Sequence, residues 1–176
     1  QMRKFWALVF LLVPYATAQV TVGKAYKFEK VADGVYYATA TGSMVTGSNN
    51  VLVVGSRDVL AVDTGTSPAA ARAFIEDAKL VTNKPIRYVV NTHFHYDHTG
   101  GNEIFGPDVQ IIGHEFVKKA ISDPDVFKKE PYKTAAMVRY PGEAAELQKQ
   151  VAAEKDPAKK AALQKQLAIA QETVAS

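Results

Sequence analysis

A short segment that holds most of the histidines of this chain is the part of the sequence best suited to chemistry. His93, His95, Asp97 and His98 fall within six residues, and they include three of the four histidines among 176 residues. Imidazole nitrogen and carboxylate oxygen are common ligands of zinc and related metal ions. We therefore interpret the segment as part of a metal site, rather than as a polar surface loop with histidines placed by coincidence.

The residues around this segment indicate how its side chains could converge. An apolar run from Ile86 to Asn91 predicts a buried strand that ends directly before it. Side chains two positions apart in extended chain point to the same side, so His93 and His95 can face one ion. Gly100 and Gly101 then let the backbone pass close to a ligand. Because the chain has no cysteine, and catalytic sites keep an open position, we favour a catalytic site over a closed structural one.

Strands that alternate with helices around the segment predict an α/β fold. Hairpin turn signals separate the first strands, and helical periodicity follows Pro68. An antiparallel start followed by strand–helix alternation indicates a layered domain with a mixed sheet. The strands at 50–54 and 58–62 are mostly aliphatic, so we expect them to be buried on both faces. The expected strands are Tyr26–Val31, Val35–Thr39, Ser43–Thr46, Asn50–Val54, Asp58–Val62, Ile86–Asn91 and Val109–Ile112, and the expected helices are Pro68–Val81 and His114–Ile121, with a helical turn at Asn102–Phe105.

Residues 142–176 differ in composition from the rest, since they are rich in Ala, Gln, Lys and Glu. Two narrow apolar stripes at helical spacing are separated by Asp156-Pro157, a helix cap followed by a proline that opens the next helix. The pattern predicts a helical hairpin that packs on itself or on the domain surface, in preference to a partner-binding face. We thus divide the chain into a domain at 19–141 and a helical extension at 142–176.

The first 18 residues are typical of an export signal. Arg3 and Lys4 precede the apolar run Phe5–Val13, and Ala16-Thr17-Ala18 fits the small-x-small cleavage pattern. The apolar run is too short to cross about 30 Å of hydrocarbon as a helix, so we favour a cleaved signal over a membrane anchor. We expect a mature chain that begins near Gln19 and works in the periplasm or outside the cell.

The charge of the chain does not favour nucleic-acid binding. The formal net charge is +3, and loss of Arg3 and Lys4 with the signal removes most of it. The sequence has no basic run with interleaved aromatic residues. We therefore expect no nucleic-acid partner. The short apolar run predicts no stable membrane anchor, and the sequence leaves the oligomeric state open.

The segment from Thr92 to Asn102 resembles the signature of the metallo-β-lactamase superfamily, H-x-H-x-D-H. Two flanking stretches agree with this resemblance. Val62–Gly65 resembles the turn that precedes the first helix in that family, and Ile111–Glu115 resembles the strand and helix start that follow the motif. The resemblance implies an α/β fold in which this chain forms the N-terminal half of an αββα sandwich, with the helical hairpin added at its C-terminal end.

The resemblance also implies a site for one or two metal ions, usually zinc, with iron or manganese as other choices. It implies that His93 and His95 help to bind the first ion, and that Asp97 and His98 help to bind the second. Asp97 would also take a direct part in catalysis. The resemblance implies a small-molecule substrate, in which a hydroxide between the metals would attack an ester, thioester, lactam or phosphoester. Asp63 would orient the ligands, or would serve only to cap the helix after Val62.

The remaining ligands of the family have no counterpart in this chain. A third histidine, a bridging aspartate and a last histidine come later in the family, whereas no histidine follows His114 here. His114 itself is expected to begin a helix rather than to bind metal. We therefore expect half of a metallo-hydrolase, inactive and prone to association on its own. A non-catalytic metal- or partner-binding module is the alternative function.

Overall fold

A single seven-stranded sheet forms the centre of the molecule, as described by a computed structural model that covers residues 19–175. The strands lie in the sheet in the order in which they occur in the sequence. The first five are antiparallel, and the last two pair in parallel with their neighbours. This arrangement confirms the α/β fold with a mixed sheet. The strands are β1 (Val20–Val22), β2 (Tyr26–Ala32), β3 (Val35–Ala40), β4 (Asn50–Val54), β5 (Val59–Val62), β6 (Ile86–Val90) and β7 (Gln110–Ile112).

The longest helix of the domain connects β5 with β6. It begins after Ser67, whose hydroxyl accepts a hydrogen bond from the Ala70 amide at 3.2 Å, and Pro68 occupies its first turn. The other helices lie between β6 and β7 or follow the last strand. The helices are α1 (Pro68–Ala78), α2 (Tyr96–Thr99), α3 (Glu115–Ile121), α4 (Tyr132–Thr134), α5 (Tyr140–Ala153) and α6 (Pro157–Ala175), with 3-10 turns at Asn102–Ile104 and Val126–Lys128 and a π-helical turn at Ala135–Arg139.

The core lies between one face of the sheet and α1. Phe74 of α1 is almost completely buried, and its ring packs against Tyr26 and Phe28 of β2 at centroid distances of 5.2 and 5.8 Å. Leu52 and Ala61 from β4 and β5 lie side by side on the same face and are fully buried. Removing this apolar surface from water is what fixes α1 across the sheet.

The opposite face of the sheet is also apolar but remains partly open to solvent. Val51 and Val53 alternate with buried residues in β4, and Leu60 and Val62 do so in β5. Tyr88 of β6 is 37% exposed. The expectation that these strands are buried on both faces is therefore wrong for the described residues, because α1 covers only the side chains that point to the other face.

Several elements differ from the sequence prediction, most of them by one residue at an end. Residues 43–46 form no strand, because Gly42 and Gly47 adopt left-handed φ angles of 84° and 78° and turn the chain on either side of them. The strand β1, paired with β2, was not predicted, since three residues are too short to show alternation. Helix α1 ends at Ala78 rather than at Val81 because the last residues form a turn bonded to the Glu76 and Ala78 carbonyls.

The helical hairpin confirms the break predicted at Asp156-Pro157. Helices α5 and α6 pack against each other, and the Asp156 carboxylate accepts a hydrogen bond from the Lys159 amide at 2.9 Å at the start of α6. The first helix begins at Tyr140, two residues before the predicted start of the extension. Across residues 19–175, none of the helices combines the length and the apolar character that a membrane crossing requires. Residues 1–18, with the predicted signal, lie outside the described part.

Candidate metal centre

The histidine segment leaves the carboxyl end of β6 and forms a loop that closes in the single-turn helix α2. The ring centroids of His93 and His95 are 4.6 Å apart, and those of His93 and His98 are 4.0 Å apart. His95 lies directly before α2, and Asp97 and His98 lie within it. The Nε2 atom of His98 is 3.4 Å from a carboxylate oxygen of Asp97. The structure therefore brings together all four residues that the sequence singled out.

Asp63 lies beneath this cluster at the end of β5. Its side chain is buried, and its backbone adopts a left-handed φ of 61°, which is unusual for a residue other than glycine. One carboxylate oxygen accepts hydrogen bonds from the Thr92 amide at 2.8 Å, and the other lies 2.7 Å from Nδ1 of His98. The Thr92 hydroxyl donates to the same carboxylate at 2.9 Å. Asp63 thus ties the end of β5 to both ends of the histidine segment.

These contacts determine which ring nitrogens are free to bind a metal. A carboxylate only accepts hydrogen bonds, so His98 donates from Nδ1 to Asp63 and keeps its lone pair on Nε2. The single hydroxyl proton of Thr92 is directed to Asp63, and the Thr92 oxygen lies 3.0 Å from Nδ1 of His93. His93 then donates from Nδ1 as well, and its Nε2 is free. One carboxylate therefore sets the tautomer of two histidines, as partners behind metal ligands commonly do.

A second set of bonds holds the carboxyl end of α2 against the neighbouring strand ends. The His98 carbonyl accepts from the Thr64 amide at 2.9 Å and from the Asn91 side-chain amide at 3.3 Å. Asn91 and Asn102 exchange amide hydrogen bonds at 3.1 and 2.8 Å. Thr64 lies two residues after β5, and Asn91 directly follows β6. The ends of both strands therefore fix the position of His98.

Close packing against glycines holds the other side of the loop. Gly47 has a left-handed φ of 78°, and a side chain there would approach the Cβ of Asp97 to 2.9 Å and the Cβ of Thr66 to 2.8 Å. A Cβ on Gly101 would lie 2.5 Å from the Thr64 carbonyl oxygen. The Ser48 hydroxyl donates to the Asp97 carbonyl at 2.6 Å. These contacts leave no room for larger residues and confine the backbone of α2.

Two tyrosines from the segment that leads into the helical hairpin contact the same loops. Tyr132 donates from its hydroxyl to the Phe94 carbonyl at 2.7 Å, and Tyr140 lies 2.9 Å from the Thr66 hydroxyl. The ring of Tyr96 packs edge-on between them, with centroid distances of 6.1 and 5.9 Å. No local sequence pattern predicts this contact, because Tyr132 and Tyr140 lie far along the chain from the motif.

The charges around the cluster favour neutral histidine. Burial, followed by the nearby rings of His98 and His95, lowers the pKa of His93 below its ordinary value. The carboxylates of Asp63 and Asp97 act in the opposite direction. Because only the neutral imidazole binds a metal, a lowered pKa keeps His93 available as a ligand to more acidic pH.

The donor set of the cluster fits a divalent ion. It consists of imidazole nitrogens and one carboxylate, the ligands that zinc and related ions accept where thiolate is absent. Among residues 19–175, no group of three or more His, Asp or Glu side chains has the geometry of a metal site. The roles of His93, His95, Asp97, His98 and Asp63 as ligands, catalyst and orienting group therefore stay predictions.

His114 takes no part in the cluster. It lies directly before α3, and its Nδ1 accepts a hydrogen bond from the Phe116 amide at 3.1 Å. This confirms the helix-start role predicted for it. Sequence reasoning overlooked Thr92, which stands between Asp63 and His93, although its place directly before the first motif histidine was a usable signal.

The histidine cluster lies within a stretch of the chain that matches a known family. The model of the metallo-beta-lactamase superfamily matches residues 44–154, which includes the loop at 63–66 and the histidine segment. That range also enters α5 of the helical extension.

Two curated relatives and one solved structure give the extent of the likeness. The alpha subunit of 2,4-dinitroanisole O-demethylase from Nocardioides sp. is 31% identical over 62% of this chain and 29% of its own length. A linear primary-alkylsulfatase from Pseudomonas sp. is 32% identical over 36% of this chain and 12% of its own length. The crystal structure of a metallo beta lactamase from Erythrobacter litoralis, with beta mercaptoethanol in its active site, superposes with a TM-score of 0.50 at 26% identity, over 57% of this chain and 46% of that one. The chain thus spans less than a third of the length of these curated relatives.

Proposed function

The chain belongs to the metallo-beta-lactamase superfamily, and on this premise we propose that it supplies part of the active site of a metal-dependent hydrolase. Family membership implies binding of divalent metal and a hydrolase-like enzyme. The finer proposal is that His93 and His95 hold one ion and that Asp97 and His98 hold another, with zinc as the metal. When bound, such ions supply Lewis-acid activation of water and of the bond to be broken.

The hydrogen bonds around Asp63 are the observation that carries this proposal. A buried carboxylate at 2.7 Å from His98, linked through Thr92 to His93, fixes both rings with Nε2 available. A surface loop has no need of a buried acceptor for two of its histidines. Orientation of metal ligands accounts for this arrangement better than helix capping, because the Asp63 carboxylate is bonded to the loop rather than to the amides of α1.

The substrate we propose is a small molecule with an ester, thioester, lactam or phosphoester bond. Asp97, partly exposed beside His98, is the residue proposed to take a direct part in catalysis. The two curated relatives are an O-demethylase subunit and an alkylsulfatase, so related chains serve different reactions. Further groups that complete the ligand set are proposed to come from outside this chain, which spans 46% of the matched crystal structure.

We also propose that residues 1–18 direct export and are removed, so that the protein acts in the periplasm or outside the cell. The basic start, the apolar run and the Ala16-Thr17-Ala18 triplet support this. Mass spectrometry of the protein exported by its native host tests it. A first residue near Gln19 supports the proposal, and retention of the apolar run contradicts it.

Metal content of the whole natural protein, measured together with hydrolysis, tests the proposed function. We expect about two zinc ions per chain, as in two-metal hydrolases, and turnover of at least one of a β-lactam, a thioester, a lactone or a phosphodiester. His95→Ala should remove at least one ion and abolish turnover. His114→Ala is the matched control and should change neither. Uptake of one ion or none, without turnover, would overturn the proposal in favour of a non-catalytic binding module.

A further inference from the structure

Tyr132, which follows the 3-10 turn after α3, contacts the backbone that carries the histidines. Its hydroxyl donates to the Phe94 carbonyl at 2.7 Å and lies 2.7 Å from the Thr99 hydroxyl. Tyr132 and Thr99 are both buried, at 8% and 6% exposure. Burial also raises the pKa of Tyr132, so its hydroxyl stays protonated and able to donate. The contact is therefore an internal hydrogen bond rather than a surface one.

The two hydroxyls lie beside the peptide groups on either side of His95. The Phe94 carbonyl belongs to the peptide that precedes His95, and the Thr99 hydroxyl lies 3.0 Å from the His95 carbonyl in the peptide that follows. Unlike His93 and His98, His95 has no hydrogen bond from its ring nitrogens among the contacts of the described residues. Its ring contacts the rings of His93 and Phe94 at centroid distances of 4.6 and 4.9 Å. Its backbone is held by Tyr132, which donates to the Phe94 carbonyl and accepts from the Thr99 hydroxyl.

We propose that Tyr132, acting with Thr99, is a positioning residue that orients His95 for metal binding. The proposal rests on the metal site proposed above and assigns a role to a residue outside the motif. It also gives the segment between α3 and the helical hairpin a function, because that segment places the tyrosine beneath the loop. Asp63 orients two histidines through their rings, and Tyr132 orients the third through the chain.

A purely structural role for Tyr132 would rest on its ring. The ring packs edge-on against Tyr96 at 6.1 Å and against Phe127 at 5.8 Å between centroids. Tyr132→Phe keeps the ring and removes only the hydroxyl, so it separates the two roles. Under the structural role, this variant lowers thermal stability but leaves the metal affinity of the folded protein unchanged.

The test compares Zn²⁺ affinity, measured by competition with a chelator, in the whole natural protein and its variants. We expect Tyr132→Phe to weaken Zn²⁺ binding about 10-fold, as loss of a group that orients a metal ligand typically does. The visible absorption spectrum of the Co²⁺-loaded variant should also change, because the field around the ion changes with the orientation of His95. Tyr37→Phe, at an exposed position on β3, is the matched control and should change neither readout.

Thr99 provides a second, independent pair of variants. Thr99→Val removes the hydroxyl and should weaken Zn²⁺ binding, whereas Thr99→Ser keeps the hydroxyl and should restore it. The losses from Tyr132→Phe and Thr99→Val should not add, since both act on His95 through one network. If Tyr132→Phe does not fold, the Zn²⁺ affinities of Thr99→Val and Thr99→Ser test the proposal instead.

The outcomes separate this inference from the proposed function. Wild-type protein that takes up no metal overturns the proposed function, and the inference falls with it. Wild-type protein that binds Zn²⁺, with equal affinity in Tyr132→Phe and Thr99→Val, overturns the inference alone. Weaker binding in both variants, with recovery in Thr99→Ser, supports it.

Discussion

At the scale of single residues, the site depends on one buried carboxylate more than on any one histidine. Asp63 accepts from Thr92 and His98 and, through Thr92, from His93. Its left-handed backbone aims the carboxylate at the loop while the chain continues into α1. Asparagine tolerates this backbone conformation but cannot accept from both partners with both of its side-chain atoms.

Asp63→Asn should therefore preserve the fold and weaken metal binding. We expect a loss of about 10- to 100-fold in Zn²⁺ affinity, because the rings of His93 and His98 lose the acceptor that fixes their tautomers. Asp33→Asn, in the exposed turn between β2 and β3, is the matched control. Equal affinity in Asp63→Asn and in the wild-type protein would show that the carboxylate serves only the local turn.

The titration of His93 provides a second test at this scale. Burial and the rings of His98 and His95 lower its pKa below the ordinary value of 6.5. His98→Ala removes one of these causes and frees Asp63, which acts to raise the pKa. We expect the His93 pKa of the metal-free protein, followed by NMR, to lie below 6.5 and to rise in this variant. A fall in His98→Ala would contradict the arrangement of charges, and His114→Ala should leave the value unchanged.

At the scale of elements, the histidine loop is packed between α1 and the strand ends. Its glycines therefore have less room for a side chain than glycines elsewhere in the chain. A Cβ at Gly101 would collide with the Thr64 carbonyl oxygen and with Ala71 of α1, whereas Gly142 in α5 has no heavy atom within 4 Å of its ideal Cβ position. The same substitution should therefore have opposite effects at the two positions.

We expect Gly101→Ala to lower the free energy of unfolding by about 1–3 kcal/mol, since the loop or α1 must shift to accept the methyl group. Gly142→Ala should raise the free energy of unfolding by about 0.5–1 kcal/mol, because alanine loses less conformational freedom in a helix. Chemical denaturation of both variants checks the signs. A stabilising Gly101→Ala would mean that the loop is not packed against α1 as described.

The elements were largely predictable from the sequence, whereas the long-range contacts between them were not. The turn signals and apolar runs of β2 to β6 and the N-terminal cap of α1 are local, so they identified these elements and placed the histidine segment after β6. The contact between Tyr132 and Thr99 joins residues 33 apart and depends on how the segment after α3 folds back, which no local pattern encodes. The strand expected at Ser43–Thr46 does not form, although its residues include β-branched ones. Two flanking glycines with left-handed φ turn the chain on either side of it.

At the scale of the whole molecule, the two faces of the sheet differ in how they tolerate charge. Leu60 lies on the partly open face and Ala61 on the face packed against α1, where it is fully buried. We expect residues 19–176, expressed alone, to self-associate through the open face, since a contiguous apolar surface favours association.

Leu60→Lys should lower this self-association, measured by light scattering, while the chain stays folded. Ala61→Lys should unfold the chain instead, because a buried, unpaired ammonium costs several kcal/mol. Equal behaviour of the two neighbours would contradict the assignment of one packed and one open face.

The order of the seven strands has a consequence for how the chain acquires its structure during synthesis. Each strand pairs with the one made just before it, so the sheet can grow from its first hairpin as the chain leaves the ribosome. Pairing of near neighbours in sequence keeps loop-closure costs low and favours rapid folding. Asp63 is synthesised about thirty residues before the histidines that it bonds. The acceptor is thus in place at the edge of the growing sheet when the histidine segment emerges.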